Sequence, residues 1–242
     1  MLYSRLRHLL RPFAHTPLHP QWLVLREQTA VRRTVARWAK GQVIDVGCGD
    51  RWLAAAIGSG GNYIGLDYPP TVVQGYPGLP EVFGDAACLP FRNSAAETVL
   101  LMDVLEHLHI PDSAIGEAAR ILRSGGHLIL QVPFLYPVHD APNDFRRWTR
   151  EGLQQLLTHN GLKIVEETAY GRPAETAAAL GAIALAKSGL NTLTQRRASV
   201  LLIPLIAVLI PFVNVAGWLL GKVLPADAFM PLGYRLVAEK SA

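Results

Sequence analysis

The run Val43-Ile44-Asp45-Val46-Gly47-Cys48-Gly49-Asp50 constrains this chain more than any other stretch. A short apolar segment ends on an acid, two glycines follow one residue apart, and the next residues can open a helix. A strand that breaks into glycine at its carboxyl end lets a ligand meet bare backbone, as at the nucleotide sites of doubly wound parallel sheets. An ordinary tight turn would also account for two glycines, so the ligand has to be read from their surroundings.

A dinucleotide loop needs a third glycine three positions after the second, where helix and strand pack closely. Trp52 stands there instead. Asp45, two residues before the first glycine, suits a ligand with an ammonium or sulfonium charge better than a pyrophosphate. A second acid, Asp67, closes the apolar run Asn62-Tyr63-Ile64-Gly65-Leu66, 18 residues beyond Gly49. That is where a carboxylate gripping ribose hydroxyls belongs. A cation at one end and a ribose at the other describe S-adenosylmethionine better than NAD.

With these residues in place, the chain resembles the class I S-adenosylmethionine-dependent methyltransferases. The likeness extends through Gly84-Asp85-Ala86-Ala87, Leu101-Met102-Asp103-Val104-Leu105-Glu106-His107-Leu108 and Ile121-Leu122-Arg123-Ser124-Gly125-Gly126-His127, in the family's order over roughly residues 40 to 170. The resemblance implies that Asp45, Gly47, Cys48 and Gly49 hold the methionine part of the cofactor. By the same token Asp67 holds the ribose, Asp85 and Ala86 meet the adenine, and Asp103 borders the methionine end. It also implies an α/β, Rossmann-like, doubly wound and mostly parallel seven-stranded sheet.

The alternation of short elements agrees with that sheet. Strands are predicted near 42–46, 62–67, 81–84, 97–102, 126–132 and 162–169, and 232–240 resembles the family's last strand. Helices are predicted over 24–40, 51–57, 112–122 and 150–159, the last starting from Thr149 and stopping at Gly161. The expected organisation is a basic N-terminal segment (1–23), a cofactor-binding domain (24–171 and 232–242) and a hydrophobic helical insertion (172–231). Leu2, Leu6, Leu9, Leu10 and Phe13 among arginines suit an interfacial helix, a basic tail or a helix packed on the domain.

Between Arg197 and Lys222 no residue is charged. At about 1.5 Å per residue a straight helix of that length would cross a bilayer. Pro204, Pro211 and Asn214 interrupt it, and a final strand in the same sheet would require the chain to return to its own side. A second crossing over 174–193 would contain Glu175, Lys187 and two glycines. An insertion that dips into one leaflet, or that covers the substrate mouth, fits better than a transmembrane anchor.

The formal net charge of +4 comes from clusters near the start, around Arg32–Lys40 and at Arg196–Arg197. They do not interleave with aromatics as nucleic-acid readers do, and an anionic membrane surface suits them better. Cys48 and Cys88 form no disulfide framework, and no cluster has a convincing metal-ligand spacing, so no metal is expected, with metal assistance left open only for a catechol-type acceptor. A reducing cytoplasm is the expected compartment, at the inner face of the cell membrane where the insertion touches lipid.

The acceptor side should follow the fourth and fifth strands. The loop Pro133–Thr149 resembles the His-x-x-Pro-x-Asp-x-x-Arg-x-Thr segment of bacterial methyltransferases associated with cell-envelope sugars and lipids. His139 is the candidate general base, because imidazole titrates near neutrality, and Asp144 would orient it or pair with Arg146 or Arg147. Glu106, His107, Phe134, Tyr136, Arg146 and Arg147 are the candidate substrate contacts. The expected function is methylation, on oxygen, of a small or lipid-linked acceptor. The alternatives are an NAD-dependent oxidoreductase on a Rossmann fold and a non-catalytic membrane-associated adaptor.

Overall fold

The computed structural model describes residues 11–58, 61–69, 80–195 and 198–241. The leucines and arginines read as an interfacial segment before Arg11 lie outside the described residues, as do Arg196 and Arg197. Contacts divide the chain into two units. One holds the residues up to Thr29, Leu135–Pro137 and Tyr170–Leu232; the other holds Ala30–Phe134, Val138–Ala169 and the residues from Gly233 onward.

The second unit is built on one seven-stranded sheet. Its strands are β1 (Gln42–Val46), β2 (Asn62–Asp67), β3 (Val82–Phe83), β4 (Ala96–Met102), β5 (Leu122–Pro133), β6 (Leu162–Tyr170) and β7 (Gly233–Lys240), in the order β3-β2-β1-β4-β5-β7-β6. Strands β1 to β5 pair in parallel, and β7 pairs antiparallel to β5 with Ile129 opposite Val237. This is the Rossmann-like, mostly parallel sheet that the sequence implied, final strand included.

Both faces of the sheet are covered, which is why its central strands are continuous apolar runs rather than alternating ones. In β4, Val99 and Leu101 enter one core with Ile44, Leu66, Leu128 and Leu130, while Leu100 and Met102 enter another with Val43, Ile129 and Val237. The predicted helix over 24–40 appears as α1 (Trp22–Leu25) and α2 (Glu27–Trp38), and α2 presents Val31 and Val35 to the second core. Helix α3 (Pro111–Ile121) brings Ala114, Ile115 and Ala118 to the first, and α4 (Arg150–His159) brings Leu153 and Leu157. The hydroxyl of Thr149 accepts from the amide of Gly152 at 3.1 Å, the cap expected at that start.

One predicted element is corrected. Residues 51–57 make only a 3-10 turn, Ala54–Ala56. Arg51 sits at φ 61, a left-handed conformation no α-helix can start from, and the few residues left before Gly58 cannot offset the cost of nucleation.

In the first unit, two helices occupy much of the hydrophobic stretch: α5 (Pro173–Thr194) and α6 (Ile203–Val223). They approach closely because small residues face each other: a Cβ added at Gly217 would lie 2.1 Å from the Cβ of Ala178. Asn214, read in the sequence as a polar interruption, is fully buried and donates to the carbonyls of Pro17 (2.8 Å) and His19 (3.0 Å). The opposite face of α6 is apolar and open, with Val208 66% and Phe212 69% exposed.

Candidate active site

The candidate residues of the second unit gather where β1, β2 and β4 end. β1 lies between β2 and β4, so Asp45 is covered on both edges and is 2% exposed. Tyr63 donates its hydroxyl to Asp45 at 2.7 Å. Burial pushes the Asp45 carboxyl up to about 7, against the pull of the Tyr63 hydrogen bond, with the charge of Asp67 adding to the rise. Such a carboxyl ionises readily when a cation arrives beside it.

The glycine loop is pinned to the tip of β2, because the amides of Gly47 (2.8 Å) and Cys48 (3.1 Å) both donate to the carbonyl of Leu66. Gly47 has φ 78, and a Cβ there would lie 2.4 Å from Cγ2 of Val104. Space and conformation both require glycine. Gly49 differs: its φ is 53, but a Cβ would meet nothing within 4 Å among the described residues. Those residues leave the backbone open there, as a ligand cradle requires.

The Gly49 amide donates to Asp67 Oδ2 at 3.1 Å, and the Tyr68 amide to Oδ1 at 2.7 Å, which holds that carboxylate at the rim. The Cys48 side chain is buried, and burial pushes its thiol up to about 12, so it fills space rather than reacting. Asp85 is exposed and accepts from the amide of Ala87 at 2.8 Å, while Ala86 is buried in the core. Trp52, at the position of the missing third glycine, packs against the core of Val31, Val35 and Leu53.

At the end of β4 the chain turns sharply. Asp103 takes φ 54, stays exposed, and accepts from Nε2 of Gln131 at 3.0 Å. Gln131 accepts in turn from Arg235 at 3.3 Å. The 3-10 turn Leu105–His107 then carries Glu106 inward to 0% exposure. Among the described residues, neither carboxyl oxygen of Glu106 has a hydrogen-bond partner. Burial pushes its pKa up to about 9, and the nearby charge of Asp103 adds to the rise.

Two imidazoles face that carboxyl. Oε1 of Glu106 lies 3.8 Å from Nε2 of His107 and 3.9 Å from Nε2 of His139, and the two rings meet edge to face at 4.9 Å. Asp144 holds His139 from behind, with Oδ2 at 3.2 Å from Nδ1 and 2.9 Å from the backbone amide. Arg147 grips the same carboxylate with both terminal nitrogens, at 2.5 and 2.7 Å. That pairing, helped by the His139 amide, lowers Asp144 to about 2.

The structure therefore brings together Glu106, His107, His139, Asp144 and Arg147. Three other candidates have partners of their own. Arg146 straps the loop by donating to the carbonyls of Leu108 (2.6 Å) and His109 (3.1 Å). Phe134 packs against Tyr234, with ring centroids 5.8 Å apart. Tyr136 belongs to the first unit, where Gln21 donates to its hydroxyl at 2.7 Å. Sequence reasoning missed Tyr63, Gln131 and Arg235. A usable signal existed for two of them, since Gln131 and Arg235 are polar residues inside apolar strand runs and are each 6% exposed.

Residues 44–130 match a family model described as a methyltransferase domain. A Mycolicibacterium smegmatis protein named "Probable S-adenosylmethionine-dependent methyltransferase" is 30% identical over 154 residues, which is 59% of this chain and 60% of that protein. A similarly named Mycobacterium tuberculosis protein is 29% identical over 147 residues, 56% of this chain and 54% of its own length. The chain thus spans little more than half the length of the curated relatives it matches. Among solved structures, a candidate methyltransferase of Bacillus halodurans aligns with a TM-score of 0.53 at 16% identity, over 88% of this chain and 98% of that one. The [4+2]-cyclase SpnF aligns with a TM-score of 0.53 at 19% identity, over 90% and 80%. At such identities the likeness speaks to fold alone, and a cyclase on this fold illustrates that a fold does not name a reaction.

Proposed function

Taking the chain as a member of the class I S-adenosylmethionine-dependent methyltransferase family, we propose that it transfers the sulfonium methyl of S-adenosylmethionine to a hydroxyl oxygen of a small or lipid-linked acceptor. The observation that carries this reading is the pairing of a buried, near-neutral Asp45 with an open backbone at Gly49 and a fixed carboxylate at Asp67. Asp45 would ionise beside the cationic methionine end, Gly49 would let the nucleoside lie on the chain, and Asp67 would accept from ribose hydroxyls. Asp85, Ala86 and Asp103 would complete the cofactor contacts.

The transfer is an in-line displacement in which the oxygen–carbon bond forms as the sulfur–carbon bond breaks, leaving a neutral thioether. The acceptor hydroxyl must lose its proton. His139 is suited to take it, because Asp144 accepts from Nδ1 and leaves Nε2 as the basic nitrogen facing Glu106. Asp144, kept ionised by Arg147, then stabilises the imidazolium.

The lipid-linked part of the reading is supported by α6. Its buried residues Ile210, Asn214, Gly217 and Gly221 recur at helical spacing, and Leu205, Val208, Phe212 and Leu219 form an exposed apolar stripe on the other side. A stripe of this kind lies in an interface rather than across it, so the chain would work at the inner face of the cell membrane.

Calorimetry with S-adenosylhomocysteine and NADH side by side tests the cofactor: binding of NADH alone would overturn the reading. Transfer of labelled methyl from S-adenosylmethionine into lipid and water-soluble extracts tests the acceptor. Val208→Asp with Phe212→Asp is expected to abolish co-flotation with anionic vesicles while S-adenosylhomocysteine binding is retained. Undiminished flotation would remove the membrane contact.

A further inference from the structure

We propose that Glu106, His107 and His139 form a binding site for a divalent first-row transition-metal ion of the zinc type. The inference rests on the methyltransferase reading above and concerns the acceptor side of the same site.

A fully buried carboxyl without a single hydrogen-bond partner is costly, and native proteins seldom keep one without a use for it. Glu106 is such a group, and neither of its oxygens has a partner among the described residues. What faces it is two imidazole Nε2 atoms at 3.8 and 3.9 Å, too far for a hydrogen bond. One ligand atom from each of the three residues lies within 4.8 Å of the other two. Ligands about 2.0–2.2 Å from one ion sit roughly 3–3.5 Å apart, so the two carboxylate–imidazole separations of 3.8 and 3.9 Å need to contract by under about an ångström, and the imidazole–imidazole pair by no more than about 1.8 Å, to close the set around an ion.

The outer contacts fix the tautomers in the direction an ion needs. Nδ1 of His107 lies 2.7 Å from the carbonyl of Asn143, an atom that can only accept, so Nδ1 carries the proton. Nδ1 of His139 lies 3.2 Å from the Asp144 carboxylate, which Arg147 holds ionised. Each neutral ring therefore carries its Nε2 lone pair on the side of Glu106. A carboxylate or carbonyl behind an imidazole is the usual outer arrangement of a histidine metal ligand.

Two imidazoles and one carboxylate suit zinc, cobalt, manganese or iron(II) rather than magnesium or calcium, which prefer oxygen-only sets. Three protein ligands also leave positions open. An acceptor hydroxyl occupying one of them would be acidified and release its proton to solvent water, so the ion would replace His139, whose Nε2 is then a ligand, in activating the hydroxyl. The substrate class that follows is an acceptor whose hydroxyl oxygen can enter the metal's coordination sphere.

The test uses the untagged full chain, stripped with a chelator and titrated calorimetrically with Zn²⁺, with Co²⁺ absorption as a second probe. One ion per chain is expected. Glu106→Gln and His139→Gln should each weaken it by more than about 100-fold, and Asp144→Asn by about 10-fold through the outer contact. His109→Gln, whose ring stacks on Phe145 instead, should change nothing. Histidine ¹⁵N spectra of the unmodified chain give a check that needs no variant: two Nε2 resonances should move on adding Zn²⁺. No saturable site, a site indifferent to Glu106→Gln, or movement of other histidines would each overturn the proposal. Titration with S-adenosylhomocysteine in the same samples separates the two readings: cofactor binding without the ion sinks only the metal site, and the ion without cofactor sinks only the methyltransferase reading.

Discussion

Two acids at the carboxyl ends of this sheet meet opposite fates. Asp67, at the tip of β2, has amide donors on both oxygens, from Gly49 and Tyr68. Glu106, on the turn after β4, is buried more deeply and has no hydrogen-bond donor among the described residues. The first is a cradle finished by the fold before any ligand arrives. The second would be completed by the cation proposed above. The contrast teaches that one sheet can present a preorganised subsite beside one whose energetics depend on its occupant.

Substitution at the finished side should have the larger effects. Gly47→Ala combines a left-handed conformation with a clash against Val104, and should lower the unfolding free energy by about 3 kcal/mol in chemical denaturation. Gly49→Ala carries the conformational cost without the clash, and should lose only about 1 kcal/mol. Equal losses would mean that the space above Gly49 is not open. Next in size, Asp67→Ala should weaken S-adenosylhomocysteine binding about 100-fold by calorimetry, through two lost charge-assisted hydrogen bonds. Glu106→Gln should leave that affinity within about threefold, since Glu106 is assigned to the acceptor side and not to the cofactor contacts. A comparable loss in both would break the contrast.

The pH dependence sharpens it further. Asp144 titrates near 2 when folded, below its unfolded value. Its contribution of about 2 kcal/mol is therefore present at neutral pH and is lost as pH falls from the unfolded value toward 2. Asp144→Asn should lose that amount at pH 7, and its melting temperature should converge with that of the unmodified chain in strong acid. Asp45 behaves in the opposite sense, because its folded pKa, about 7, is raised. Its burial costs stability progressively from about pH 4 to 7, and a cationic ligand that requires the ionised form should bind more tightly over the upper part of that range. Affinity for S-adenosylmethionine should rise about tenfold from pH 6 to pH 8 and then level off, and Asp45→Asn should flatten the profile.

Much of this was legible along the chain because local chemistry carried it. The apolar runs ending at Val46, Asp67 and Met102 mark strands, the two glycines mark a loop where Gly47 has no room for a side chain, and Thr149 marks a helix start. The failures share a cause. The helix predicted over 51–57 was lost to the left-handed Arg51, a backbone state no residue spacing reveals. Asn214 read as an interruption of an apolar helix, yet it pins the segment around Pro17 and His19. That Glu106, His107 and His139 meet was likewise hidden, because two come from the turn after β4 and the third from a loop after β5.

By itself the sequence determined the order of the strands along the chain, the glycine break after β1 and the acids at the strand tips, because hydrophobic period and glycine conformation act between near neighbours. Only the tertiary structure decided that Asp45 sits deep enough to titrate near neutrality, that Glu106 is left without donors, and that His139 turns its Nε2 toward Glu106. Those properties depend on burial and on partners distant in sequence, and neither exists until the sheet has closed around them.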